Sequence, residues 1–431
     1  MELEKYKLGE ILDVTRGASL GGEFYATEGE YIRLTCGNFD YRNNCFKKND
    51  SKKNIFYTGE FRDEYLLNKG DIITPLTEQA IGLLGTTARI PESGKYIQSQ
   101  DIAKITCTNL LDENFAFYLL SSACVKQQLN AAAQQTKIRH TSPDKIKECT
   151  VWIPSFDVQK RIGRILRDID EKIAINRQIN DNLEAMAKQL YDYWFVQFDF
   201  PDENGKPYKS SGGKMVWNEK LKREIPQGWD NCVLGDYIGR ITNGLNPRKN
   251  FILGNGDNYY VTIRSLVGTT IDWNNCDRCD NEALSKINSR SQLQVGDIIF
   301  SAIGTIGRTY YILEEPRNWN ISETSFTLRA KESVPNDFFY GMLLSDEIQI
   351  KADKAAMGST LRCLVMDSLC SLQYTKIPNN MMISFSAKVA SLYRQIHRNN
   401  KEIAELTKQR DDLLPLLMNG QATVNYHLSD D

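Results

Sequence analysis

The sequence predicts an α+β protein in which two similar α/β globular domains are separated by a long antiparallel two-helix coiled coil. Three observations predict it: the 431-residue chain exceeds what one hydrophobic core usually organises, its motifs occur twice, and each copy ends in a long heptad pattern. The expected segments are a first domain at 1–155, a long helix at 156–198, a linker at 199–229, a second domain at 230–380, a long helix at 381–420 and a tail at 421–431.

The internal repeat is carried by short motifs that recur 222 to 229 residues apart, a register that chance does not hold for so long. Matching pairs include Leu8-Gly9-Glu10 with Leu234-Gly235-Asp236, Val14-Thr15-Arg16-Gly17 with Ile241-Thr242-Asn243-Gly244, Gly70-Asp71-Ile72-Ile73 with Gly296-Asp297-Ile298-Ile299, and Ile153-Pro154 with Ile377-Pro378. Each copy begins with short apolar runs rich in Ile, Val, Thr and Tyr, which predict strands and turns. A short helix, near 113–130 or 336–352, precedes a polar loop and the Ile-Pro pair.

The two long helices are predicted from core positions that alternate four and three residues apart. In the first helix they are Ile162, Leu166, Ile169, Ile173, Asn176, Asn180, Leu183, Ala187, Leu190 and Trp194. In the second they are Phe385, Val389, Leu392, Ile396, Asn399, Ile403, Leu406, Arg410, Leu413 and Leu417. Asn176 and Asn399 fall on equivalent positions, where a buried Asn commonly fixes the register of a coiled coil. The alternative is that both are separate core helices of globular domains, although a length of ~38 residues, roughly 57 Å, is unusual there.

Composition and charge narrow the possible functions. No run of 18 apolar residues could span a bilayer, and the charged N-terminus lacks the apolar stretch of a secretory signal, so we expect a cytoplasmic protein. The net charge of −2 argues mildly against independent tight DNA binding, because proteins that neutralise phosphates alone are often basic. Local basic loops, or partners that supply phosphate contacts, remain compatible with this balance.

Neither metal binding nor catalysis has a sequence signature in this chain. Cys276 and Cys279 form a lone CxxC pair, whereas a structural zinc site needs four ligands, so reduced thiols without metal are the better interpretation. A methyltransferase of this kind would need an Asn/Asp-Pro-Pro-aromatic segment, but the chain has no Pro-Pro pair. A P-loop would need Ser or Thr after its Gly-Lys, but Met215 follows Gly213-Lys214. We therefore expect a non-catalytic chain.

Several segments resemble the specificity subunits of type I restriction-modification systems. The stretch DFPDENGKPYKSSGGKMVWNEKLKREIPQGW at 199–229 is similar to the signature that follows the first long helix in that family. LEAMAKQLYDYWF at 183–195, QKRI at 159–162 and QRDDLLPLLMNGQ at 409–421 resemble it as well. The resemblance runs through the whole chain in order, but the globular halves match only in scattered Gly-Asp and Gly-Thr motifs.

The resemblance implies a DNA-reading role within a larger complex. Two target-recognition domains would each read half of a split double-stranded DNA site, and the helix pair would set their separation. DNA methyltransferase (modification) subunits, expected as two copies, would dock on the coiled coil, and restriction/motor subunits would join for cleavage. S-adenosylmethionine, ATP and Mg are then expected on those partners and no cofactor in this chain. Two sites one DNA turn apart, ~34 Å, lie on one face of the duplex, which suits two readers on a rod.

Candidate DNA contacts are polar side chains in loops at equivalent places of the two copies, because such groups can match base edges. The loops before the Ile-Pro pairs contribute Thr136, Lys137, Arg139 and His140 in the first copy and Ser359, Thr360 and Arg362 in the second. A turn nearer the start of each copy contributes Arg16 in the first and Asn243, Arg248 and Lys249 in the second. In the loop before the Ile-Pro pair, family members often have a Gly-Ser/Thr sequence, and the first copy lacks this Gly. The alternative for each residue is a solvated loop side chain.

Two other functions remain open from the sequence. The chain could be the specificity module of a system whose single fused partner both methylates and cuts, which shares the mechanism. It could instead be a coiled-coil scaffold without nucleic-acid contact. The acidic balance fits a scaffold, but a scaffold does not require duplicated globular halves.

Overall fold

The computed structural model describes residues 2–49, 53–78, 82–132 and 139–422. The chain forms two compact units: unit 1 comprises Met1–Ala174 and Ala404–Asp431, and unit 2 comprises Ile175–Ile403. Each unit contains both helices and sheets, so the mixed α and β content predicted from the sequence is confirmed. No helix in the described part of the chain combines the length and apolarity needed to cross a membrane.

Unit 1 is built around two four-stranded sheets. Its strands are β1 (Glu4–Lys7), β2 (Leu12–Arg16), β3 (Tyr25–Ala26), β4 (Tyr31–Arg33), β5 (Phe39–Asp40), β6 (Cys45–Phe46), β7 (Phe56–Tyr57), β8 (Ile72–Pro75), β9 (Thr77–Glu78), β10 (Ala88–Arg89), β11 (Tyr96–Ile97), β12 (Ile102–Cys107), β13 (Arg139–His140) and β14 (Thr150–Ile153). The first sheet has the order β10-β8-β12-β2 and is antiparallel. The second has the order β11-β4-β7-β3, with β11 parallel to β4.

The helices of unit 1 pack on the first sheet, and the first long helix begins in this unit. They are α1 (Leu8–Ile11), α2 (Glu113–Leu120), α3 (Ala123–Ala132), α4 (Pro143–Lys147) and the beginning of α5 (Phe156–Tyr191). Asp112 caps α2 by accepting a 3.0 Å hydrogen bond from the Phe115 amide. The buried Gln159 side chain of α5 bonds to the Asp112 amide and to the carbonyls of Leu110 and Pro154. The Gln159 side chain thus connects the first turns of α5 to the segment that precedes α2.

Unit 2 contains the remaining strands and helices. Its strands are β15 (Met215–Asn218), β16 (Arg223–Pro226), β17 (Asp230–Val233), β18 (Ile238–Asn243), β19 (Asn258–Val261), β20 (Leu266–Val267), β21 (Thr270–Ile271), β22 (Asp277–Cys279), β23 (Ile298–Ser301), β24 (Thr309–Tyr311), β25 (Trp319–Ile321), β26 (Ser325–Ala330) and β27 (Gln373–Lys376). Its helices are α6 (Asn281–Arg290), α7 (Asn336–Leu344), α8 (Asp346–Ala355), α9 (Met366–Cys370) and the beginning of α10 (Asn379–Met418).

The main sheets of the two units have corresponding strand orders. The order in unit 2 is β18-β26-β23-β24, and in unit 1 the strands at the same places in the chain follow the order β2-β12-β8-β10. The register corresponds as well, since Ile105 faces Ile72 in unit 1 and Leu328 faces Ile298 in unit 2. In each unit a parallel strand pair, β4 with β11 or β19 with β25, belongs to the second sheet.

The stretch 199–229, expected as a linker, is a packed part of unit 2. Phe200 is buried between the rings of Tyr208 and Trp229, with ring centroids 4.8 and 5.0 Å away. Further along, β15 and β16 form a hairpin from which Ile225 enters the core. The irregular spacing of these residues gives no helix or strand period, so the order of this stretch is not visible in the pattern of the sequence.

The two long helices contact each other in both units. In unit 2 the Asn180 side chain bonds to Asn399 and to Asn400, each at 2.8 Å. Asn176, one turn earlier on α5, bonds at 2.9 Å to Glu402, which lies later on α10. Residues that lie later in α5 therefore contact residues that lie earlier in α10, so the two helices run in opposite directions here. The predicted heptad positions of both helices are all buried or half-buried.

In unit 1 the helix contact includes a polar cluster around Arg410, one of the two non-apolar heptad positions of the second helix. Its guanidinium, 9% exposed, bonds at 2.8 Å to Asp170 of α5 and to Asp411. Tyr118 of α2 donates a 2.7 Å hydrogen bond to the second Asp170 oxygen. Burial alone would lower the pKa of Arg410, but the two carboxylates outweigh burial and raise the pKa. The cluster thus joins α2, α5 and α10 through charged hydrogen bonds.

Removing Arg410 is expected to destabilise unit 1. In the Arg410→Ala variant, Asp170 loses its cation while remaining largely enclosed, which costs about 3 kcal/mol of unfolding free energy. Lys408→Ala, at an exposed position on the same helix, is the control and should change stability by less than about 0.5 kcal/mol. Urea unfolding measures both variants. Equal stability of the two variants would contradict the role given to the cluster.

Candidate nucleic-acid interface

In unit 1 the described DNA-contact candidates lie at one end of the main sheet. Arg16 ends β2 opposite Ala103, next to the point where Ile102 faces Pro75 at the end of β8. The Arg16 guanidinium donates a 2.7 Å hydrogen bond to the Gln100 carbonyl and is exposed. The neighbouring Asp101 accepts a bond from Thr77, whose hydroxyl is 3.3 Å from Nδ1 of His140. Residues more than 120 positions apart are thereby brought to one edge.

Arg139 is held at this edge by a buried carboxylate. It pairs in register with Glu78, and its Nη1 lies 3.6 Å from a Glu78 oxygen. The Glu78 side chain is only 4% exposed and also accepts a 2.8 Å bond from the Gly82 amide. Because an unpaired buried charge is costly, Glu78 favours a conformation of Arg139 in which the guanidinium stays beside the carboxylate. The Arg139 side chain nevertheless remains 45% exposed, so a ligand can reach it.

In unit 2 the corresponding sheet end carries Asn243. This residue ends β18 opposite Phe326, beside the pair formed by Ser301 and Ser325. The Asn243 amide oxygen accepts two hydrogen bonds, of 2.7 and 3.2 Å, from the Arg290 guanidinium. The Asn243 oxygen is thereby occupied, so a ligand would contact Asn243 through its amide nitrogen.

The glycine that follows this strand is required by close backbone approach in both units. A Cβ atom on Gly244 would lie 1.7 Å from the carbonyl oxygen of Ile321, and one on Gly17 would lie 2.3 Å from that of Gln98. No side chain fits at either distance. The repeated Gly in the sequence thus marks where the chain turns away from the sheet end.

The turn after Gly244 is fixed by Glu323, a residue that sequence reasoning missed. One Glu323 oxygen accepts a 2.7 Å hydrogen bond from Asn246, and the other accepts a 3.0 Å bond from Tyr260. Asn246 in turn accepts the Arg248 amide at 2.9 Å, which begins the single 3-10 turn Pro247–Lys249. Burial, followed by the nearby Glu323 charge, raises the pKa of Tyr260, so its hydroxyl stays protonated and donates. Arg248 is presented on this clamped turn as an exposed side chain.

The second candidate loop of unit 2 is a hairpin at the same sheet end. Met357 and Cys363 exchange two backbone hydrogen bonds of 2.8 and 2.9 Å, and Leu364 donates to the Ala302 carbonyl just beyond β23. Ser359 and Thr360 are exposed at its tip. Arg362 instead turns back, donating to the Asp353 carboxylate at 3.0 Å and to the backbone carbonyl of the same residue.

Three further DNA-contact candidates and the CxxC pair complete the residues singled out in the sequence. Thr136 and Lys137 lie outside the described residues, as does the Lys249 side chain. Burial raises the pKa of the Cys276 and Cys279 thiols, which disfavours the thiolates that a metal would bind. Within the described ranges, no group of three or more His, Cys, Asp and Glu side chains is placed to hold a metal ion.

The described candidate residues at the two sheet ends have hydrogen-bonding side chains. They present Arg guanidinium groups, Ser and Thr hydroxyls, an Asn amide and a His ring. These groups can donate and accept hydrogen bonds, which is the chemistry of contacts to phosphates and base edges.

Comparisons with known proteins point to one family. Residues 1–185 match the family described as "Type I restriction modification DNA specificity domain". The type I restriction enzyme MjaIX specificity subunit of Methanocaldococcus jannaschii is 27% identical over 322 residues, which cover 72% of this chain and 69% of that protein. The HindI specificity subunit of Haemophilus influenzae is 23% identical over 363 residues, covering 73% and 78%.

A solved structure shares the fold. The crystal structure of the type I restriction-modification system S subunit from M. genitalium superposes with a TM-score of 0.56 at 17% identity, covering 97% of this chain and 96% of that one. The matched family places residues 1–185 in the class of DNA specificity domains. The resemblance to type I restriction-modification specificity subunits, predicted from the long helices and the central stretch, is confirmed.

The anchoring of the turn Pro247–Lys249 by Glu323 can be tested without any ligand. In Glu323→Ala the turn at Pro247–Lys249 loses its anchor, so the amides of Arg248 and Asn250 should exchange hydrogen about tenfold faster, as expected for the loss of about 1.4 kcal/mol of net hydrogen bonding. Hydrogen exchange read by mass spectrometry measures this rate. Glu332→Ala, which removes an exposed carboxylate elsewhere in unit 2, is the control. Identical exchange in the two variants would refute this anchoring.

Proposed function

We propose that this chain is the DNA sequence-recognition subunit of a type I restriction-modification complex and reads a bipartite double-stranded DNA site. The observation that carries the proposal is the correspondence of the two sheet ends. In each unit, candidate residues from distant parts of the chain meet at the same end of a sheet with the same strand order. One surface of this kind would read a half-site, and two in one chain would read two half-sites.

The proposed recognition domains are residues 1–155 and 230–380. Arg16, Arg139 and His140 would contact DNA from the first, and Asn243, Arg248, Ser359 and Thr360 from the second. Thr136, Lys137 and Lys249 remain predicted contacts on sequence grounds. Arg362 would act mainly through the hairpin that it ties to Asp353.

The two long helices are proposed to form an antiparallel coiled coil that sets the gap between the half-sites. The burial of the heptad positions and the opposed order of the Asn176, Asn180 and Asn399 contacts support this pairing. A buried Asn pair suits such a spacer because it penalises shifted registers, in which amide groups would face apolar side chains.

The catalysts are proposed to be partner proteins. Two DNA methyltransferase subunits would dock on the helix pair and restriction/motor subunits would join them, with S-adenosylmethionine, ATP and Mg bound by those partners. The names of the relatives, which are specificity subunits of restriction enzymes, support this division. The assembled complex would be an adenine-specific DNA methyltransferase and a site-specific deoxyribonuclease.

The proposal is tested by mapping methylated bases in a host that carries this chain with its modification subunit. We expect one motif with two specified segments separated by a fixed unspecified gap. Charge reversal, Arg139→Glu or Arg362→Glu, should abolish methylation, because the first variant repels DNA at the surface and the second repels Asp353 and opens the hairpin. Lys69→Glu, at an exposed position near the opposite end of the unit 1 sheet, is the control and should methylate normally.

Co-purification with the modification subunit separates the alternatives. A complex that assembles but methylates no particular sequence would favour a scaffold. Normal methylation by both charge-reversal variants would remove these residues from the reading surface.

The spacer is tested by lengthening both helices together. One heptad inserted after Ala174 in α5 and one after Ile403 in α10 adds about 10 Å. At ~34 Å per turn of ten base pairs, the gap in the methylated motif should grow by about three base pairs, while both half-sites stay the same. A heptad added to α5 alone shifts one helix against the other and should abolish methylation. An unchanged gap after the double insertion would contradict the spacer role.

A further inference from the structure

One exposed residue at the unit 2 sheet end is apolar. Leu361 is 64% exposed at the tip of the Met357–Cys363 hairpin, although burying a leucine is normally favourable. Met357, at the base of the same hairpin, is 62% exposed. The sheet end that presents hydrogen-bonding groups therefore also presents aliphatic surface.

The hairpin holds Leu361 in a defined position. Gly358 has a φ of +99°, and a Cβ there would lie 2.4 Å from the Leu361 carbonyl oxygen, so the tip is tightly folded around this glycine. The Gly304 amide donates a 2.8 Å bond to the Arg362 carbonyl, and the Arg362 guanidinium is tied to Asp353. The backbone on one side of Leu361 is thus anchored to two other segments of unit 2.

The chemistry of the tip selects one kind of base pair. Its side chains are two hydroxyls and one aliphatic group, from Ser359, Thr360 and Leu361, while the only guanidinium in the hairpin is bound to Asp353. A guanine is read best by Arg or Lys, and neither is available at this tip. In the major groove the thymine 5-methyl is the apolar group that a base pair offers, and hydroxyls can serve either the thymine O4 or the adenine N6 and N7.

We infer that Leu361 is a specificity-determining residue that contacts the 5-methyl group of a thymine in the half-site read by unit 2. This rests on the proposed function and deepens it, because it names the base that one loop reads. Ser359 and Thr360 would supply polar contacts to the same A·T pair. Leu361 would therefore distinguish thymine from both cytosine and uracil at that position.

The test uses the complex of this chain with its modification subunits and duplexes of the methylated motif. Each thymine is replaced in turn by uracil, which differs only by the missing methyl. At one position in one half-site, the wild-type complex should bind the uracil duplex about fourfold more weakly, as expected for the loss of one buried methyl. The Leu361→Ala complex should bind the thymine and uracil duplexes equally, with the affinity that the wild type has for the uracil duplex.

The control is Val295→Ala, which truncates an exposed aliphatic side chain near the opposite end of the same sheet and should keep the wild-type preference. If no uracil substitution weakens wild-type binding, or if Leu361→Ala keeps the full preference, the inference is overturned while sequence-specific methylation still supports the proposed function. If the wild-type complex shows no sequence preference at all, the proposed function falls and this inference falls with it.

Discussion

The structure depends on the two long helices being part of the cores and not only connections. In unit 1, Ile162 and Leu166 of α5 and Leu417 of α10 belong to the cluster that packs α2 against the sheet. In unit 2, Tyr191 of α5 and Phe385 of α10 belong to the corresponding large cluster. A helix whose apolar stripe is buried in this way gains most of its stability from packing. Neither globular fold is complete without residues from both helices.

This sharing constrains how the helices pair. Most of their contact positions are apolar and would tolerate a shift of one heptad, but the polar ones would not. Arg410 of α10 meets Asp170 of α5 only in the observed register of unit 1, and Asn180 meets Asn399 only in that of unit 2. Polar groups buried at these positions thus specify the alignment, at some cost in stability relative to apolar packing.

The two sheet ends show a second constraint, which is that exposed candidate contact residues are held by acidic side chains, of which Glu78 is buried and Glu323 half-buried. Arg139 is oriented by the nearly inaccessible Glu78, and the turn that bears Arg248 is held through Asn246 by Glu323. A surface loop prearranged in this way loses less conformational entropy when it binds. The acidic residues closest to the proposed DNA surface are therefore part of its support, which is consistent with a chain whose net charge is −2.

Much of this organisation was predictable because it has a period. Heptad spacing indicated α5 and α10, and the repeated Gly-Asp and Ile-Pro motifs indicated matching halves. The glycines Gly17 and Gly244 were visible as a repeat, but the backbone approach that requires them was not. Contacts without a period were missed: Glu323 is 77 residues from Asn246, and no local pattern connects them.

Other features of the site and of the stretch 199–229 could not be predicted because residue type alone does not fix a side chain's surroundings. Arg362 is a natural candidate for guanine, but its position beside Asp353 became visible only in three dimensions. Leu361 has no hydrogen-bonding group, so the donor and acceptor pattern of the base edges does not point to it in the sequence. The aromatic residues at 199–229 follow no helix or strand spacing, so their packing into unit 2 could not be read from periodicity.

The central claim is that one chain carries two separate DNA-reading surfaces. It is tested most directly by measuring the binding free energy of the assembled complex for a duplex in which every base pair is substituted in turn. The account predicts two clusters of sensitive positions, with costs of about 1–3 kcal/mol each, on either side of an insensitive gap. A single uninterrupted block of sensitive positions, or no sensitive position at all, would contradict it.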